Sequence, residues 1–163
     1  MTQDSPARTG TEVRVDMVVE APIAQAYQVF TTGIDSWWNR DHHIGPSPLA
    51  EEVVEPFEGG RLYGRCVDGT ECAWGRVLVW QPPTAFSFTW AIDLTWQLET
   101  DPARASRVDV TFTPLDDTRT SVTLIHSGFE NHGDGWESMR DAVASPGGWP
   151  ALQEEYVKVV ATA

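Results

Sequence analysis

From Thr11 onward apolar and polar residues alternate. Val13, Val15, Met17 and Val19 fall on one side of an extended chain and Arg14, Asp16 and Glu20 on the other, with Val18 the exception. A period of two is what a strand with one buried face requires, because successive side chains leave opposite faces. At Ala21-Pro22 the period changes. Pro22 suits a first helical turn, where its missing N–H has no partner to lose, and Ile23, Ala26, Tyr27 and Phe30 follow at helical spacing until Thr31-Thr32-Gly33. Ile34 to Trp38 reads as one or two further helical turns, and Asp41 to Leu49, with Gly45, Pro46 and Pro48, as loop.

Glu51 to His126 reads as consecutive strands divided by turn signals. They are Glu51 to Phe57, closed by Glu58-Gly59-Gly60; Arg61 to Cys66, turned by Asp68-Gly69; Cys72 to Trp80, closed by Pro82-Pro83; and Ala85 to Ile92. A polar connection from Asp93 to Ala105 leads to Ser106 to Pro114, and Asp116-Asp117 turns into Thr118 to His126. Helical signals then return. Asp134 with Glu137 has the spacing of a capping box ahead of Trp136, Met139 and Val143. Ser145 with Pro146 predicts the start of a last helix, whose stripe is Trp149, Leu152, Tyr156 and Val159. Strand, helices, a run of antiparallel strands and a closing helix make an α+β fold with the sheet packed on helices. Residues 1–10 lack periodicity and are expected to be a disordered tail, with one domain over 11–163.

Composition narrows the partners. Lys and Arg total 11 against 24 Asp and Glu, a formal net charge of -13. Nucleic acid and anionic lipid surfaces both attract basic proteins, so neither is an expected partner. No run approaches the ~20 apolar residues of a membrane span, and Met1 to Gly10 has no apolar core of a secretory signal. With two cysteines, Cys66 and Cys72, the expected setting is the cytoplasm, with free thiols; a cross-strand disulfide around the Asp68-Gly69 turn is the other geometry open to them. Eight tryptophans are the outlying number, and they imply a bulky core or an aromatic-lined cavity.

Several motifs occur in a specific order: Val19-Glu20-Ala21-Pro22, Ala26-Tyr27-Gln28-Val29-Phe30, Trp37-Trp38 before His42-His43, and Gly59-Gly60-Arg61. Asp68-Gly69, Trp74-Gly75-Arg76-Val77, Pro82-Pro83, His126-Ser127-Gly128-Phe129 and Gly148-Trp149-Pro150-Ala151-Leu152 follow. Together they resemble the helix-grip fold of the START-like (SRPBCC) superfamily, and within it the bacterial group named after the C-terminal domain of the heat-shock protein 90 ATPase activator. The resemblance implies a curved antiparallel sheet wrapped around a long C-terminal helix, with a cavity between them. Members bind lipids, sterols, polyketides or other apolar molecules, and some are cyclases or hydrolases. The sequence departs from the group in having no room for the activator's separate N-terminal domain, and in carrying Asn39 where a proline is expected after the paired tryptophans.

Within that fold the candidate ligand-binding residues are Trp37, Trp38, His42, Tyr63, Phe86, Phe88, Trp90, His126, Trp136, Met139 and Trp149. Trp37 and Trp38 precede the loop; either one ring lines a ligand site or both pack in the core. His42 and its neighbour His43 can hydrogen-bond a polar head group or lie on the surface. His126 shares a face with Val122 and Leu124, so it is an inward imidazole needing a partner, a polar anchor, a general base or a structural hydrogen bonder. His132 falls in a glycine-rich loop and is expected in solvent. Phe86, Phe88, Trp90, Trp136, Met139 and Trp149 supply apolar walls, whether of a cavity or of a filled core. Tyr63 alternates with Arg61 and Arg65; inward arginines, with Arg76, would suit a carboxylate or phosphate, outward ones surface acids. No metal, nucleotide or acyl-transfer signature occurs, and no cofactor is expected.

The expected function is therefore binding of a small apolar or amphipathic molecule between sheet and C-terminal helix, in a monomer or homodimer. The alternatives are a cyclase- or hydrolase-like enzyme using His126 or a loop histidine as acid–base group, and a stress-related chaperone-activating module.

Overall fold

The computed structural model describes the backbone of Ala7–Thr9 and residues 11–163 in full. Among the described residues the strands are β1 (Ala7–Thr9), β2 (Glu12–Val19), β3 (Leu49–Val54), β4 (Arg61–Cys66), β5 (Glu71–Gln81), β6 (Ala85–Trp90), β7 (Ser106–Asp116) and β8 (Arg119–Ser127). They form one antiparallel sheet in the order β1-β2-β8-β7-β6-β5-β4-β3. Three α-helices, α1 (Ile23–Phe30), α2 (Glu137–Ala144) and α3 (Trp149–Thr162), complete the α+β helix-grip fold. Ala7–Thr9 pairs with β2, with Thr9 opposite Glu12, where the sequence predicts a tail. The rest of the expected tail lies outside the described residues.

The alternation in β2 is realised as written: Val13, Val15, Met17 and Val19 are buried and the residues between them face outward. Register shifts at Leu49/Glu51, Leu62/Tyr63, Val77/Val79 and Pro114/Asp116 bend the strands and help the sheet curl. Against its inner face lie Phe86, Val110, Phe112 and Leu124 from the strands, Phe30 from α1 and Tyr156 from α3, all buried. Two tyrosine hydroxyls pin the layers together. Tyr156 donates to the Ala26 carbonyl at 2.7 Å, and Tyr27 to the Ala85 carbonyl at 2.8 Å.

The C-terminal helical stretch differs from the sequence expectation at its breaks. Ser145 does not cap α3; it closes α2, its hydroxyl donating to the Ala142 carbonyl at 2.5 Å. The next helix begins after Gly148, with Pro150 in its first turn. Glycine is required at 148 by close approach, because a Cβ there would overlap the Val143 and Ala142 carbonyls. The capping box also fails. Trp136 is the N-terminal cap of α2 and makes no side-chain cap bond, and the preceding turns are closed by main-chain bonds such as Trp136 N to Gly133 O at 3.1 Å. The buried stripe of α3 ends on Val160 rather than Val159, four residues beyond Tyr156. Among the described residues no helix is long and apolar enough to cross a membrane.

Candidate functional site

The short helical turn Ile34–Ser36 delivers Trp37 and Trp38 to opposite environments. Trp37 enters the core against Phe30 and Tyr156, its indole N–H donating to the Val29 carbonyl at 2.8 Å. Trp38 turns the other way and stacks on Trp74 of β5, ring centroids 5.2 Å apart and planes 20° from parallel. Asn39 secures this corner in place of the expected proline. Its carbonyl accepts from His42 N at 3.0 Å and its side-chain oxygen from Asp41 N at 2.8 Å.

Beside the Trp38–Trp74 stack lies a cavity of about 460 Å³, within the range of small-molecule sites. Trp90 and Ile92 continue the wall from the sheet side, and Val143, Gly148, Trp149 and Leu152 close it from the helices. Asp41, Trp96 and Gly147 line it and are exposed, which places its mouth there. Trp96 adopts φ 63°, a left-handed conformation rare for a bulky residue. The 93–97 turn fixes it there: Trp96 N donates to Asp93 O at 2.9 Å, and the Asp93 carboxylate accepts from the amides of Thr95 and Gln97.

Of the residues singled out from sequence, Trp38, His42, Trp90 and Trp149 line this cavity. Phe86, Phe88 and Met139 belong to the filled core, as Trp37 does. Tyr63 is covered by the Arg61 guanidinium, 4.3 Å from its ring, and Trp136 lies under Arg140 at 5.2 Å. The strand arginines face outward: Arg61 pairs with Glu55 and Glu71, Arg65 with Glu51, and Arg76 donates to the Gly59 carbonyl. His43, weighed with His42 from sequence, lines it too, whereas sequence reasoning missed Trp74, Asp41, Ile44, Ile92 and Trp96 as lining residues. Both cysteines are free thiols. Among the described residues no group of three or more His, Cys, Asp or Glu side chains is placed to hold a metal ion.

Of the roles open to His126 from its place in the strand, the structure shows that of a buried hydrogen bonder inside the protein. It is fully buried, and both ring nitrogens are engaged. The Trp149 indole N–H donates to His126 Nδ1 at 3.1 Å, so Nδ1 carries the lone pair and Nε2 the proton. Nε2–H then donates to Ser106 Oγ at 2.8 Å, and the Ser106 hydroxyl donates to His132 Nε2 at 2.8 Å. His132 is buried rather than in solvent, and its Nδ1 is left without a partner. Burial disfavours the imidazolium, lowering the pKa of His126 well below its ordinary value and that of His132 in the same direction. The chain therefore supports the Trp149 wall as a neutral, directional relay.

A second buried polar group supports the opposite wall. Glu52 of β3 is 2% exposed and accepts the Trp74 indole N–H. Burial pushes its carboxyl up to about 8, against the opposing pull of that hydrogen bond. Its amide donates to Asp35 Oδ1 at 2.9 Å, tying β3 to the turn that carries Trp38.

The lip of the cavity is held by a close approach at Gly45, where a Cβ would overlap Cys66 Sγ. Gly45→Ala is expected to destabilise the fold by about 1–3 kcal/mol through overpacking, read as a lower urea midpoint with unchanged m.

A family profile described as Activator of Hsp90 ATPase homolog 1-like protein matches residues 20–152. No match was found among curated proteins. Among solved structures, an anthrahydroquino-γ-pyrone synthase, Txn09, is 34% identical, with 97% of this chain and 99% of that chain covered and a TM-score of 0.66. The self-sacrificing resistance protein CalC from Micromonospora echinospora is 23% identical over 97% of this chain and 96% of that one, TM-score 0.65. Protein NE0264 from Nitrosomonas europaea is 12% identical over 97% and 99%, TM-score 0.67. The last two show a shared fold, whereas the profile spans most of the sequence described above. The chain belongs to the family of Activator of Hsp90 ATPase homolog 1-like proteins.

Proposed function

We propose that the protein binds a flat, largely apolar aromatic molecule in the cavity between the sheet and the 145–152 segment. The observation that carries this reading is the 460 Å³ space walled by Trp38, Trp74, Trp90, Trp96 and Trp149. Three of these rings spend their N–H on protein acceptors: Trp38 on the His42 carbonyl, Trp74 on Glu52, and Trp149 on His126. What they present to a ligand is aromatic surface, which favours stacking and apolar contact. The 34% identity to an anthrahydroquino-γ-pyrone synthase supports the same ligand class.

The test is titration of the protein with 9-fluorenone, a flat three-ring ketone, followed by quenching of tryptophan emission. Saturable quenching at micromolar concentration is expected; none, with no heat of binding by calorimetry, would overturn the reading. Trp96→Gly separates binding from folding. Relief of the left-handed backbone is expected to stabilise the variant by about 1 kcal/mol, while loss of the ring weakens fluorenone binding about tenfold.

A second reading, turnover of the bound aromatic, draws on the synthase relationship and on two loop histidines, His42 and His43, at the cavity wall. Burial lowers the pKa of His42, which keeps it neutral and able to accept a proton. The probe is 1-(2-hydroxyphenyl)-1,3-butanedione, whose hydroxyl closes on the distal ketone with loss of water to give 2-methylchromone, a γ-pyrone. Acceleration over buffer supports turnover, and its absence leaves binding as the activity. A chaperone-directed role draws on the family description alone.

A further inference from the structure

Three polar groups that line the cavity, Ser145, Asp41 and His43, can accept a hydrogen bond. Ser145 has already donated its hydroxyl proton to the Ala142 carbonyl, so its oxygen offers lone pairs. Asp41 brings a carboxylate. His43 Nδ1 lies 3.2 Å from the Gly45 carbonyl, and a carbonyl can only accept, so Nδ1 holds the proton. The other ring nitrogen of His43 is left with its lone pair. Among the described lining residues there is no lysine or arginine, and Asp41 is the one carboxylate. The donors at the space are one ring N–H of His42, the Trp96 indole N–H at the exposed rim and the buried Trp90 indole N–H, which has no protein partner; none of them is a cation.

We infer that the site selects a neutral aromatic carrying a hydroxyl group, and that His43 Nε2 is the acceptor for that hydroxyl. This rests on the binding reading above and adds the head group to it. Carboxylates and phosphates are disfavoured twice, by Asp41 at the mouth and by the net charge of -13 on the chain. A phenol meets a lone pair at a nitrogen whose tautomer is fixed from behind by the main chain. The close fit of Gly45 against Cys66 holds that carbonyl in place.

The experiment compares 9-fluorenone with 2-hydroxy-9-fluorenone, 2-methoxy-9-fluorenone and 9-fluorenone-2-carboxylate at pH 7.5, in the full chain and in His43→Phe. In the unsubstituted protein the phenol is expected to bind about tenfold more tightly than its methyl ether, which has the same rings and no donor. The carboxylate is expected to bind more weakly than fluorenone itself. In His43→Phe the phenol-to-ether ratio should fall to within about twofold, a comparison made within one variant and so independent of any change in cavity shape. Equal affinity for phenol and ether in the unsubstituted protein, a ratio that survives in His43→Phe, or preference for the carboxylate would each overturn the inference while fluorenone still binds. Failure of fluorenone itself to bind would overturn the binding reading and the inference together.

Discussion

Glu52→Gln is expected to stabilise the protein at pH 8 by about 3–4 kcal/mol and to flatten its pH dependence above pH 6.5. The carboxyl titrates near 4.5 in an unfolded chain and near 8 when buried against Trp74. Between those values the folded state holds a proton that the unfolded state has released, so stability falls as pH rises, by about 1.4 kcal/mol per pH unit. Below pH 6.5 the buried histidines act with the opposite sign, because their folded pKa values are depressed. From pH 6.5 to 8 the Glu52 slope stands clear of them. Glutamine keeps an oxygen able to accept the Trp74 N–H and has no proton to lose. Urea midpoints for both proteins at half-unit intervals across this window are the measurement. Parallel curves would show that Glu52 is ionised in the folded protein and that burial does not govern it.

The second large effect is expected at His126. His126→Leu fills a similar volume but removes the acceptor for Trp149 Nε1–H and the donor to Ser106 Oγ, both buried. Each stranded polar group costs about 1–3 kcal/mol, so a total loss of about 3–5 kcal/mol is expected. The loss should shrink toward acid pH. There the native imidazole, which resists protonation, already costs the unsubstituted protein stability as pH falls below 6.5. A loss under 1 kcal/mol at pH 7.5 would mean that the relay carries no stabilising energy and that Trp149 is held by apolar packing alone.

Elements with a clean period are legible in the sequence itself. The two-residue alternation of β2 and the helical spacing of α1 describe what each buries, since both depend on local geometry. The helix boundaries near residue 145 were not. Ser145-Pro146 is a good opening signal, but the close approach of Gly148 to the end of α2 decides the break, and that is a tertiary contact. The candidate site divides in the same way. Of the adjacent pair Trp37-Trp38, sequence shows that two rings leave one short turn, and only the packing around Phe30 and Trp74 decides which meets the cavity. Glu52 was within reach: it shares parity with Val54 on a strand, and its Glu51-Glu52 context disguised an inward carboxyl as part of a charged edge. His43, Trp96 and Asp41 come from loops, where no periodicity exists to project a direction.

The placement of β3 carries a consequence for solubility. It is the terminal strand of the sheet, with a register shift at Leu49/Glu51 and an acid pointing inward from its middle. A second chain adding to that border would meet an interrupted ladder, and a one-residue slip of β3 against β4 would swing Glu52 out and Glu51 or Val53 in. Among the described residues the other border, β1, is three residues long. Both ends of the sheet thus resist strand-by-strand growth into fibres, and the stability lost at Glu52 as pH rises from 4.5 to 8 is set against protection from aggregation.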